Sequence, residues 1–201
     1  MDTKESKQTR ASEIDYKYEK IKKSPKEILD SWHYLDSKDI ENRIKDYGLH
    51  EGSLNDIVNE IVLWKVNRQV SFGNDKELLN DIWNLENVKI AEMDSFSDEW
   101  AQKTEEIVRR MLVCRGIKIP MASTILHFFH PSTYLIMDQR AYRVIFKEEM
   151  PNNPSPQDYT KYLKDCVAYY KEQNLNPDIP FEMLDRYLYQ MDKEMKNKVS
   201  Y

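Results

Sequence analysis

The segment RGIKIPMASTILHFFHPSTYLIMDQRAYRVI, residues 115–145, places cationic and histidine side chains around an apolar run and admits one carboxylate, Asp138. A helix formed by EEIVRRMLV, residues 105–113, precedes it, and Pro120 suits the first turn of a second helix in which Ala122 and Ser123 are small enough for close approach. Two helices joined by so short a turn make a hairpin. At its tip Gly116 lets the backbone come near another molecule, and the amides entering the second helix point outward at the positive end of its dipole. Such a tip is able to hold a phosphate without reading a base. Asp138 stands where its side-chain oxygen can accept from the first-turn amides of a further helix beginning at Gln139.

Outward from this segment, the charge pattern is uneven. The chain has 201 residues, 40% of them hydrophobic, and a net charge of −5. Residues 109–147 carry Arg109, Arg110, Arg115, Lys118, Arg140, Arg143 and Lys147 against Asp138 alone, so this window is +6 and the remainder is −11. A basic face on an acidic body suits a protein that meets a phosphate backbone at one place; a solvated helix surface accounts for the same charges. No apolar run approaches the roughly 18 residues of a membrane span, and the N-terminus lacks the apolar stretch of a signal peptide, so no membrane contact and a cytoplasmic location are expected. Cys114 and Cys166 form no CxxC pair and read as reduced packing residues.

Helix formers dominate and Gly is rare, with 4 in the chain, so the expected class is all-α. The periodicity and caps predict helices over 25–31, 37–47, 53–70, 75–86, 98–113, 120–130, 139–149, 156–173 and 180–197. Ser53, Ser97, Asp138 and Ser155 mark starts, and Pro120, Pro156 and Pro180 suit first turns. Residues 1–24 are expected to be a loose polar tail and 25–201 a single helical domain. Within that domain the hairpin spans 105–130, the segment around Asp138 spans 131–148, and a C-terminal helical pair spans 155–197.

Two helices carry opposite messages. In the last, Phe181, Leu184, Leu188, Met191 and Met195 form one apolar stripe, leaving Asp185, Arg186, Asp192 and Lys193 mostly on a solvated face. In the helix at 53–70 the apolar face of Leu54, Ile57, Val58 and Ile61 continues into Lys65 and Arg68. Either this helix runs from the core into a cleft, with Glu60 and Trp64 beside the two cations, or the two stems cover apolar surface while their heads reach water. His127 and His130 read as polar edge residues or phosphate contacts, and no metal site is expected.

The hairpin with Gly116, the apolar helix Ala122 to Leu126, the turn at Pro131 and the run Leu135-Ile136-Met137-Asp138 together resemble the hairpin-to-aspartate segment of the helix-hairpin-helix DNA glycosylase superfamily. The resemblance covers about 35 residues and extends more weakly upstream. It implies two helical lobes around a cleft, double-stranded DNA as partner, a monomer, and Asp138 as the catalytic carboxylate. Phosphates would be met by Arg115, Gly116, Lys118, Arg140 and Arg143, with Lys65 and Arg68 beside them. NEIVLWK, residues 59–65, resembles the helix on which adenine-removing members carry a second catalytic carboxylate, here Glu60. Trp64 falls near the residue that wedges into the gap of a flipped nucleotide, without the family's customary Gln. Trp64 or Tyr142 would stack on a base, or else belong to the core.

Three departures from the family pattern matter. Lys118 replaces the second Gly of the hairpin, which alters the phosphate contact or a monovalent cation held by the turn. Pro120 stands where bifunctional members have a nucleophilic Lys, which excludes a Schiff base by that route. Two scattered cysteines cannot hold a four-cysteine iron–sulfur cluster. The expected activity is therefore hydrolysis of the N-glycosidic bond of a modified, damaged or mispaired base, with no required cofactor and no lyase step. A non-catalytic DNA-binding module of the same fold, and an all-helical regulatory protein with no nucleic-acid partner, remain the alternatives.

Overall fold

The computed structural model describes residues 14–32, 37–47, 53–66 and 76–199. Nine α-helices lie among them: α1 (Pro25–Asp30), α2 (Lys38–Asp46), α3 (Leu54–Val66), α4 (Lys76–Trp83), α5 (Asp98–Val113), α6 (Ile119–Phe129), α7 (Gln139–Phe146), α8 (Pro156–Glu172) and α9 (Leu184–Glu194). No strand occurs among the described residues, so the class is all-α.

The starts follow the local chemistry. Ser24 and Ser155 form capping boxes with Glu27 and Asp158, and Ser97 accepts from the Trp100 amide. Asp138 caps α7 through the Ala141 amide at 2.8 Å. Pro180 does not open a helix; it precedes the single 3-10 turn Phe181–Met183 that leads into α9. The part of the helix expected beyond residue 66, including Arg68, lies outside the described residues.

α6 is the axis of the molecule, buried from Met121 to Phe129, with α3 and α5 packed on it. α2 and α4 pack on α3, and α4 also touches α5 and α6. At the other end, α7 packs most extensively on α9 and also on α8, while α1 returns to lie on α9. α8 against α5 joins the two groups, and one continuous apolar core runs through both.

Residues 14–24 are not loose. Tyr18 is buried, and its hydroxyl donates to Asp192 Oδ1 at 2.8 Å. The Asp15 amide donates to Asn197 Oδ1 at 3.0 Å, and Asn197 Nδ2 donates back to the Asp15 carbonyl at 3.0 Å. Burying one aromatic ring and saturating these polar atoms fastens this stretch, despite its polar composition, to the C-terminal end of the chain. Residues 1–13 lie outside the described residues.

Candidate functional site

α5 ends in a tight turn, in which the Ile117 amide donates to the Cys114 carbonyl at 3.1 Å and Gly116 takes φ 85°. A positive φ at the third position is what a type II turn demands, and Gly adopts it without steric cost. Arg115, Gly116 and Lys118 are exposed at this tip, with Lys118 Nζ 3.4 Å from Asn153 Oδ1.

Beyond α6 the chain leaves the helix at His130, turns over residues 131–133 and runs without regular secondary structure to Asp138, which is itself extended, with residues 133–137 buried. A buried run outside helix and sheet leaves its amides and carbonyls without ladder partners, and each orphan is costly. Here side chains of three helices supply them. His127 Nδ1 donates to the Tyr134 carbonyl at 2.8 Å, the Tyr159 hydroxyl donates to Leu135 O at 3.1 Å, and the Tyr162 hydroxyl donates to Ile136 O at 3.0 Å. The Ile136 amide donates to Asp185 Oδ2 at 3.1 Å, and the Met137 amide donates to Ser123 Oγ at 3.0 Å. The next residue is Asp138. Five side chains from α6, α8 and α9 thus hold the segment that delivers one part-buried carboxylate.

Burial pushes the Asp138 carboxyl above the usual carboxylate range, and the negative charge of Asp185 adds to this; the Lys65 ammonium and the Ala141 and Arg140 amides pull the other way. Lys65, at the end of the buried face of α3, and Asp138 therefore act on one another across the fold, although no ion pair within 4.0 Å joins them. A carboxylate with raised proton affinity, still partly open to solvent and within the electrostatic reach of an ammonium, is equipped to orient or deprotonate a water.

Several expected site residues lie elsewhere. Arg143 is 0% exposed; its Nη2 donates to Asp192 Oδ2 at 2.6 Å and its Nη1 to Glu149 Oε1 at 3.1 Å and to the Lys198 carbonyl at 3.0 Å. Arg140 Nη1 donates to Asp192 Oδ2 at 2.7 Å and to the Asn197 carbonyl at 2.9 Å. Both guanidiniums are engaged within the protein: the apparent basic face of α7 is turned inward onto carboxylates supplied by α9 and the loop after α7. Asp185 and Asp192, expected on a solvated face, are both interior. Tyr142, expected either to stack on a base or to belong to the core, is buried with its ring 4.3 Å from that of Phe146.

Glu60 is ion-paired with Arg43 of α2, and Trp64 meets Phe128 edge-on at 5.1 Å. His127 and His130 are interior clasps rather than polar edge residues; His130 Nε2 lies 2.6 Å from the Ile82 carbonyl and ties α6 to α4. Among the described residues no three His, Cys, Asp or Glu side chains are grouped to hold a metal. A separate cavity of about 550 Å³, whose lining includes Lys89, Tyr170, Lys171 and Phe181, contains neither Asp138 nor Lys65.

No protein-family model, no curated protein and no solved structure matches this chain.

Proposed function

We propose that this chain is a helix-hairpin-helix DNA glycosylase of the monofunctional type, hydrolysing the N-glycosidic bond of a modified, damaged or mispaired base. The observation that carries the reading is the side-chain cradle ending in Asp138, at the N-cap of the helix that follows a tight, glycine-containing helical hairpin. Breaking an N-glycosidic bond builds positive charge on the sugar, and a fixed carboxylate beside it stabilises that charge while activating the attacking water. Asp138 has this role. Lys65 stands across from it, and Arg115, Lys118 and the backbone around Gly116 meet phosphates of one duplex strand. α2–α6 form one lobe and α1 with α7–α9 the other, with duplex DNA meeting the protein at the hairpin tip and at Asp138. The protein acts as a monomer, and the reaction requires no cofactor.

Incubation with duplexes carrying a panel of altered bases, scored for abasic sites by alkaline cleavage, tests the assignment. Wild type releases at least one base and Asp138→Asn releases none. A folded Asp138→Asn protein as active as wild type refutes it.

The inward turning of Arg140, Arg143 and Tyr142, together with the Glu60–Arg43 pair, supports a second reading, a non-catalytic DNA-binding module on the same scaffold. It predicts salt-dependent duplex binding with no base release from any substrate.

A further inference from the structure

Asp185 is a buried carboxylate on the first turn of α9 that the chemistry above does not use. It is 4% exposed, its Oδ2 accepts from the Ile136 amide at 3.1 Å, and its Oδ1 accepts from the Arg186 amide at 2.7 Å. With both oxygens engaged in the interior, it is not placed to touch a substrate. It is nonetheless fastened two residues before Asp138, on the same run. The rest of that run is held by the His127 imidazole and the Ser123 hydroxyl from α6 and by the hydroxyls of Tyr159 and Tyr162 from α8.

A neutral acceptor, such as an amide oxygen, would satisfy the Ile136 amide without a buried charge. Burying a carboxylate there carries a desolvation penalty that the two backbone amides it accepts from offset only in part. The groups that act electrostatically on Asp138 include Lys65 from α3, Asp185 from α9, the Tyr162 hydroxyl from α8 and the first-turn amides of α7 itself. Among them Asp185 is the other carboxyl group.

We propose that Asp185 is a positioning residue for Asp138: by accepting from the Ile136 amide it anchors the run that delivers the carboxylate, and it contributes a second carboxyl group to the surroundings of Asp138. The inference rests on the glycosylase reading for its chemical purpose but not for its test. A carboxylate next to a second, fixed carboxylate gives up its proton less readily, and removing the neighbour's charge reverses this.

The experiment follows the side-chain carboxyl of Asp138 by carbon NMR on the full chain carrying labelled aspartate, its signal assigned by its loss in Asp138→Asn. In Asp185→Asn, which keeps an oxygen for the Ile136 amide, the Asp138 midpoint moves to lower pH. Where the wild type releases a base, the acid limb of its rate–pH profile moves down by the same interval. A structural role alone would lower stability and leave both midpoints in place. An unmoved Asp138 midpoint in a folded Asp185→Asn protein overturns the proposal. If that variant does not fold, Asp185→Ser, also neutral and able to accept from Ile136, takes its place with the same two outcomes. Absence of base release from every substrate would count against the glycosylase reading alone, because the NMR midpoint decides the Asp185 role without turnover.

Discussion

Asn accepts an N-cap hydrogen bond about as well as Asp and carries no charge, so Asp138→Asn separates capping from chemistry. The sign of its effect on stability follows from burial. A carboxyl whose folded-state proton affinity is raised contributes stability below its unfolded value, about pH 3.9, and loses that contribution as pH rises through the folded value. The ionised form of Asp138 is therefore a net liability to folding. Asp138→Asn is expected to be at least as stable as wild type in urea at pH 7, with the difference vanishing in acid, whereas Asp138→Ala falls about 1 kcal/mol below the Asn variant through loss of the cap. An Asn variant clearly less stable than wild type at pH 7 would mean that the charge serves the fold. His130 has the opposite sign. Burial lowers its proton affinity, with the Ile82 carbonyl opposing, so its contribution is present above the ordinary histidine value of about 6.5 and is lost as pH falls through the folded value. Melting temperature should drop between pH 7.5 and 5 in wild type and drop less in His130→Asn, whose amide can still donate to Ile82; parallel curves would remove His130 as the source.

At the scale of elements, the hairpin is where exposed cations and a positive-φ glycine coincide. Gly116→Ala forces a Cβ into the left-handed region and is expected to cost about 1 kcal/mol. Arg115→Ala with Lys118→Ala should leave stability nearly unchanged while reducing the slope of log affinity for duplex DNA against log salt by about 0.9 for each phosphate no longer neutralised. An unchanged slope would exclude the tip from the interface. The helices themselves were legible because their signals are local: Ser97, Asp138 and Ser155 cap where a Ser or Asp precedes an apolar-periodic run, and Pro131 and the PNNPSP segment break the pattern where the chain breaks. The position of Asp138 was legible for the same reason. What holds it was not, because His127, Ser123, Tyr159, Tyr162 and Asp185 reach the run from 7 to 49 residues away. Arg140 and Arg143 misled for a related reason: a charge count over a window omits the Asp192 that neutralises them from 52 and 49 residues further on.

Across the whole molecule, Asp192 gathers the two ends of the chain. Its Oδ1 accepts from Tyr18 near the N-terminus and from Asn197 Nδ2 near the C-terminus, and its Oδ2 accepts from Arg140 and Arg143 of the helix that Asp138 caps. Asp192 and Arg143 are both 0% exposed, so their pairing is little screened by salt, and breaking it takes from the buried Asp192 its fully buried cation and leaves it Arg140. Arg143→Met should therefore cost about 3–5 kcal/mol, to a similar degree at low and high ionic strength. Tyr18→Phe removes one donor to the same carboxylate and should cost about 2 kcal/mol. Because both substitutions act on Asp192, their effects should not add: once Arg143 is gone the carboxylate is already poorly compensated, and the loss of Tyr18 is felt differently from its loss in the intact cluster. A double-mutant cycle by urea denaturation should give a coupling energy on the order of 1 kcal/mol or more, unchanged between low and high salt. Additivity within about 0.3 kcal/mol would mean that the N-terminal stretch rests on the core as an independent patch and does not help to hold α7.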